Sequence, residues 1–316
     1  MFSLNKNDVG YDDGSDDGRG DGEYQYLNLI LRIFSSGIEE EGRNGLTKSI
    51  FGYNMRFSLR DGVLPILTTK YVNWKMCFNE LKWFLSGSTD VGRLQDLGVN
   101  IWNANATREF LDSRGLQHLP VGCIGAGYGH QWRNYGGKYD AGWDIGCCGG
   151  GGGGDGIDQI AQLIAALKDP AQHTSRRLIL TAWNPCQLDE MALPPCHVLA
   201  QFRVYSGKYL SCSLYQRSGD VGLGVPYNIA SYSLLTHLLA HHCGLKADGF
   251  YYTIGDAHIY KEHEAALNEQ TFRVPYQCPQ IKIENVRENI EDYVVDDLIF
   301  VREYQSHGKL NMKMIA

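Results

Sequence analysis

The chain reads as a single α/β domain of the mixed α+β kind. Segments with apolar residues at helical spacing interleave with short runs in which every second residue is apolar. No stretch repeats another. Only residues 1–23 and the run Gly149–Gly154 lack both periods, so no linker separates two cores.

Residues 1–23 are rich in Gly and Asp and poor in apolar side chains. Such a segment buries too little surface to offset its ordering entropy, so a disordered acidic tail is expected before a domain over 24–316. Tyr24 to Gly37 reads as an amphipathic helix carrying Leu27, Ile30, Leu31 and Phe34, with Gly37 as the stop. Arg43 to Lys48 reads as a turn and Ser49 to Leu59 as a strand. Asn73 to Leu85 is helical in pattern, with Trp74, Phe78, Leu81 and Leu85 on one face and Glu80 off it. Ile157 to Leu167 resumes helical spacing after a glycine-rich loop at about 146–156, expected to be mobile. Leu178 to Ala182 is a short apolar strand. His197 to Tyr205 alternates, and Lys208 to Gln216 reads as its hairpin partner. Asn228 to Gly244 forms a long helix in which Asn228 could serve as N-cap. Gly255 to Tyr260 ends a strand that leads into a further helix.

With 316 residues, 43% of them hydrophobic and 11% aromatic, the chain can build a sizeable core. No apolar run approaches membrane-spanning length, and the N-terminus lacks the basic-then-apolar form of a secretory signal. Nine cysteines, an odd number without framework spacing, fit a reducing compartment, so a cytoplasmic or nuclear location is expected. The adjacent Cys147-Cys148 lacks zinc-ligand spacing, so no metal is expected. The formal charge of −7 argues against non-specific nucleic-acid binding, and −5 of it belongs to residues 1–23. A phosphate site must therefore come from a local cluster of arginines. The glycine run has no following Lys-Ser/Thr, which rules out a Walker-type phosphate loop.

Chemistry concentrates around Leu193-Pro194-Pro195-Cys196-His197. A thiol attacks as thiolate, its free pKa is about 8.5, and a nearby positive charge lowers it. Arg176 and Arg177 precede Cys196 by about one hairpin, and Arg217 follows it by 21 residues, with Ser218 beside it. Arginine suits phosphate because its planar fork donates paired hydrogen bonds. Strand parity places Cys196 on the face of Val198, Ala200, Phe202 and Val204, which is the position of an ordinary buried cysteine. Two chemistries remain open on the residues alone. One is a Cys-His hydrolase, for which adjacent strand residues are poorly placed. The other is addition of Cys196 to an electron-poor ring of a phosphorylated compound, with Asn228 to read the ring and Glu80 as acid/base.

Several long motifs in fixed order then carry a resemblance. They are Leu67-Thr68-Thr69-Lys70, Asn79 to Phe84, Ser175-Arg176-Arg177, Ala182-Trp183-Asn184-Pro185, Met191 to His197, Leu214 to Tyr232, Gly255 to Tyr260 and the ending Lys313-Met314-Ile315-Ala316. From about Tyr24 to Ala316 the chain resembles the folate-dependent thymidylate synthases. That resemblance implies reductive methylation of dUMP to dTMP, with 5,10-methylenetetrahydrofolate supplying carbon and hydride as co-substrate and no metal. It implies a twisted mixed sheet flanked by helices, packed back-to-back in a homodimer. Cys196 would add to ring carbon 6. Arg43, Arg217 and Ser218 would hold the phosphate, joined by Arg176 and Arg177 across the dimer. Asn228 would read the pyrimidine, while His258 and Tyr260 would bind the ribose. Glu80 would relay protons, with Tyr128 and His197 near the chemistry. Trp102, Asn105, Asp220, Leu223, Gly224 and Tyr227 would line the folate site, and the C-terminal residues through Ala316 would close over it. Three rival readings follow from the same residues: a nucleotide hydroxymethylase on this scaffold, a nucleotide binder without turnover, and the hydrolase above. Asn228 favours uracil over cytosine, because an amide both donates and accepts where a carboxylate only accepts.

Overall fold

The computed structural model describes residues 21–42, 44–140 and 155–315. Six strands form one sheet: β1 (Ile38–Gly42), β2 (Gly45–Ser58), β3 (Ile179–Thr181), β4 (His197–Tyr205), β5 (Tyr209–Asp220) and β6 (Lys246–Tyr260). Their order is β1-β2-β6-β5-β4-β3. Every neighbouring pair is antiparallel except β5 and β6. The helices are α1 (Asp21–Ser36), α2 (Trp74–Leu85), α3 (Gly92–Gln95), α4 (Arg108–Ser113), α5 (Tyr128–Arg133), α6 (Gln159–Lys168), α7 (Gly224–His242) and α8 (Glu264–Thr271). A separate ribbon pairs β7 (Gln280–Ile283) with β8 (Leu298–Arg302). The expected mixed α+β fold, a mixed sheet flanked by helices, is the one observed.

The parallel pair needs a long crossover, which α7 supplies. This helix is apolar on nearly all sides and buried along most of its length, lying against β5, β6 and α2. Phe202, Leu214, Phe250, Tyr252 and Ile254 are buried on the inner face of the sheet. The outer face shows Gln201, Arg203, Ser213 and Tyr215 to solvent, with Tyr205 and Tyr251 half-exposed. The β4–β5 hairpin closes through Ser206 and Gly207, both at positive φ (50° and 62°), with Lys208 N–H donating to Tyr205 O at 3.0 Å. That is the turn whose twist suits an antiparallel pair.

Four local readings change. The helix α1 begins at Asp21, so residues 21–23 do not belong to the acidic tail. The reason is Glu23, whose buried carboxylate accepts from Thr68 N and Oγ1 and from Thr69 N and Oγ1, at 2.6–2.9 Å. A buried charge is tolerable when its lone pairs are so matched. The strand β1 was not legible, because Ile38-Glu39-Glu40-Glu41-Gly42 is exposed throughout and pairs only through its backbone at the sheet edge. The helix α7 begins four residues before Asn228, so Asn228 is not its N-cap. Finally, a bulge between His197 and Leu199 adds one residue to β4. It shifts the alternation, so His197 rather than Cys196 shares the buried face with Ala200, Phe202 and Val204. Residues 1–20, the glycine run and Cys147-Cys148 lie outside the described residues.

Candidate active site

Cys196 is half-buried just before the start of β4, after Pro194 and Pro195. Its backbone is clamped from two sides. The Tyr128 hydroxyl, on α5, accepts N–H bonds from Cys196 at 2.7 Å and from His197 at 3.2 Å. The Cys196 carbonyl accepts from Arg217 N–H at 2.9 Å. The Arg217 side chain then turns back along the same segment. Its Nε donates to Pro195 O and its Nη2 to Pro194 O, both at 2.9 Å, and Nη2 lies 3.7 Å from the Cys196 sulfur. Nη1 has no partner among the described residues. The guanidinium sits 5.7 Å from the centre of the Trp183 ring. Burial pushes the Cys196 thiol up, and the Arg217 charge pulls it down by less, so the net shift is upward. Spacing anticipated the arginine and parity the burial, and of the two opposing effects burial outweighs the charge.

Behind the sulfur runs a chain of fixed polar groups. Tyr252 Oη donates to Gln216 Oε1 at 2.7 Å. Gln216 Nε2 donates to Asn228 Oδ1 at 3.0 Å and to Ser218 O at 2.8 Å. Asn228 Nδ2 lies 2.7 Å from His197 Nε2. Burial pulls His197 down to about 4, against a smaller upward pull from Asn228, so the ring is neutral. Its Nε2 therefore accepts from Asn228, and the ring proton sits on Nδ1, which is buried and unpartnered among the described residues. The bond from Gln216 Nε2 to Asn228 Oδ1 sets the orientation of the Asn228 amide, since a flip would bring two NH2 groups together. Cys196 and His197 share no hydrogen bond, which leaves the hydrolase reading without its dyad.

On α2, Glu80 accepts from Trp102 Nε1 at 2.7 Å. Burial raises its carboxyl to about 7, with the Trp102 bond pulling the other way. A helical glutamate off the apolar stripe is usually solvated. This one faces an aromatic wall in which Trp102 packs with Trp83, Phe84 and Tyr128 at ring separations of 6.1–6.4 Å. Asn105 is buried below, its N–H on Trp102 O.

Asp220 ends β5, and its Oδ1 accepts from Gly222 N–H at 2.8 Å. Leu223 and Gly224 open α7, and Tyr227 is half-buried one turn in. On β6, His258 Nδ1 contacts Asp256 Oδ1 at 2.9 Å, and its ring meets Tyr260 edge-on at 5.2 Å. The chain thus brings Cys196, Arg217, Tyr128, His197 and Asn228 into one connected cluster. Arg176 and Arg177 are exposed beside β3, with no side-chain partner among the described residues. Arg43 and Ala316 lie outside the described residues. Sequence reasoning gave no role to Gln216, Trp183, Lys70 or His263. For Gln216 a signal existed: it is an amide at an inward position of a strand otherwise lined by Leu210, Cys212 and Leu214.

A thiol under a guanidinium, a neutral imidazole holding an amide, and a carboxyl near 7 in an aromatic pocket define an enzyme of the covalent-thiol class. The family model for thymidylate synthase matches residues 24–316. Over 92% of its length the chain is 46% identical to a thymidylate synthase of Ascaris suum, covering 96% of that protein. It is equally similar, at 46%, to a thymidylate synthase of Equine herpesvirus 2, covering 98% of it. A bifunctional dihydrofolate reductase-thymidylate synthase of Leishmania amazonensis is 48% identical, and the chain spans about half of it (55%). The chain belongs to the thymidylate synthase family.

Proposed function

We propose that this chain converts dUMP to dTMP by reductive methylation. The co-substrate 5,10-methylenetetrahydrofolate supplies the carbon and the hydride and leaves as dihydrofolate. The observation that carries the reading is the Arg217 Nη2 contact, 3.7 Å from the Cys196 sulfur. One guanidinium can stabilise the thiolate and still offer its free Nη1 to a phosphate.

In this reading the Cys196 sulfur bonds to carbon 6 of uracil as its proton passes to water. Electron density moves to carbon 5, which then takes the one-carbon unit. After the carbon-5 proton is lost and hydride has reduced the transferred carbon, the C6–S bond breaks and dTMP is released. Asn228, fixed by Gln216 and His197, reads the carbonyl and ring N–H of the base. Arg217, Ser218 and Arg43 hold the phosphate, and His258 and Tyr260 the ribose hydroxyl. Glu80, with a carboxyl near 7, can both take and return a proton through water at neutral pH. Tyr128 holds the nucleophile's backbone in place. Trp102, Asn105, Asp220, Leu223, Gly224 and Tyr227 line the folate site, and the C-terminal segment through Ala316 closes over it and excludes water.

The active form in this reading is a homodimer. Two outer sheet faces pack back-to-back over Gln201, Arg203, Tyr205, Tyr215 and Tyr251, and Arg176 and Arg177 reach the phosphate of the opposite subunit. A part-apolar open sheet face supports this. The cysteine pattern supports a reducing compartment, cytoplasmic or nuclear. Incubation with dUMP and methylenetetrahydrofolate, following dihydrofolate absorbance, tests the reaction. Bound dUMP with no dihydrofolate would leave only a nucleotide binder.

A further inference from the structure

His263 has no solvent exposure, and it joins three segments that are distant in the chain. Its Nε2 lies 2.7 Å from the carbonyl oxygen of Lys313, three residues before Ala316. Its Nδ1 lies 3.5 Å from Asp220 Oδ1, an ion-pair distance rather than a well-formed hydrogen bond. The third neighbour is the loop before α2, from which buried Lys70 donates to the carbonyl of Gly222. The backbone at Gly222 is shaped around the ring: a Cβ there would meet His263 Nδ1 at 2.6 Å and Asp220 Oδ1 at 3.2 Å. Tyr260 packs edge-on at 5.6 Å from the other side.

We propose that His263 is a positioning residue that ties the C-terminal segment to the Asp220 turn, so that the two engage the folate as one unit. The proposal rests on the reading above in one respect only, that Asp220 and the C-terminal segment serve the folate. The tie itself is a matter of contacts already given. Both ring nitrogens face oxygen acceptors, so the ring serves both best when each carries a proton. Burial alone would lower His263, but Asp220 and the Lys313 carbonyl outweigh it, against the opposing charge of Lys70, and the net shift is upward.

Trypsin cleavage after exposed Lys313, read as loss of Met314 to Ala316 by intact mass, tests the tie without any turnover. In the ligand-free protein, His263→Ala is expected to speed this cleavage about 10-fold, the loss of one buried hydrogen bond. Gly222→Ala, by pushing on Nδ1, should do the same. His263→Gln, whose amide can still donate to Lys313 O, should stay near the parent rate. In turnover, His263→Ala should raise KM for methylenetetrahydrofolate about 10-fold while the Kd for dUMP stays within about twofold. Equal cleavage rates in the parent, His263→Ala and Gly222→Ala proteins would overturn the tie. Equal losses of dUMP and folate binding would overturn its assignment to the folate. A parent protein that makes no dihydrofolate fails the proposed function instead, and the cleavage rates still decide the tie.

Discussion

Arg217 and Asp220 stand three residues apart on β5, yet each meets a different kind of neighbour. Around Arg217 the contacts are aimed at backbone: its side chain grips the carbonyls of Pro194 and Pro195, and Tyr128 grips the N–H groups of Cys196 and His197. The Asp220 turn is also fixed through its backbone, by Asp220 and Lys70 on Gly222, but the C-terminal segment meets it through the His263 side chain, 3.5 Å from Asp220 and 2.7 Å from the Lys313 carbonyl. Backbone-directed bonds fix a nucleophile to within a few tenths of an ångström. A tie through one imidazole rests on a single contact to the terminal segment, the 2.7 Å bond to Lys313 O.

Three substitutions break or sharpen that contrast, in order of falling effect on turnover. Cys196→Ser removes the nucleophile from an otherwise intact frame. Dihydrofolate formation should fall by about 10⁴-fold or more. Mass spectrometry of the protein trapped with 5-fluoro-dUMP and folate should show no adduct where the parent shows one. Activity within tenfold of the parent would remove Cys196 from the mechanism.

Glu80→Gln keeps the shape and deletes the titration, and turnover should fall about 10²- to 10⁴-fold. Stability should move the other way. The folded-state pKa of Glu80 is raised to about 7, so the parent loses stability as pH rises from its unfolded value near 4.5 through 7. The glutamine variant avoids that loss. It should be more stable above pH 7 by an amount on the order of 2 kcal/mol, with the gain gone below about pH 4.5. Denaturant melts at pH 4.5 and 8 measure this, and a gain that is equal at both pH values would show that burial of the charge is not the cause.

Tyr128→Phe is the direct probe of the clamp. Loss of the phenol oxygen leaves the N–H groups of Cys196 and His197 unpaired, at a cost of about 1–3 kcal/mol. A fall in turnover of about 10-fold is expected, with dUMP affinity little changed, since the residue orients the nucleophile rather than the nucleotide. An unchanged kcat would mean that Arg217 alone sets the position of Cys196.

How much of this was legible follows from what each feature depends on. Helices with an apolar stripe, such as α2, and strands with clear alternation, such as β5, were readable because one segment carries the whole signal. The exposed edge strand β1 was not, since its pairing owes nothing to its side chains. The bulge at Val198 was also hidden, and with it the face on which Cys196 lies, because one extra residue leaves no mark on composition. At the site, residue types and motif order pointed to Cys196, Arg217 and Asn228. The net rise of the Cys196 thiol and the strong fall of His197 were not readable, because both come from burial created by distant segments. For the same reason nothing in the sequence singled out His263.

The carboxylate of Glu23 also redraws a boundary. Four donors from Thr68 and Thr69 converge on it, and those threonines immediately precede Lys70, the residue that reaches the Asp220 turn. The last letters of a stretch that looks dispensable are thus wired, through two threonines and a lysine, to the turn that follows Asp220. Shortening the chain up to residue 20 leaves that wiring intact, whereas three more residues would cut it.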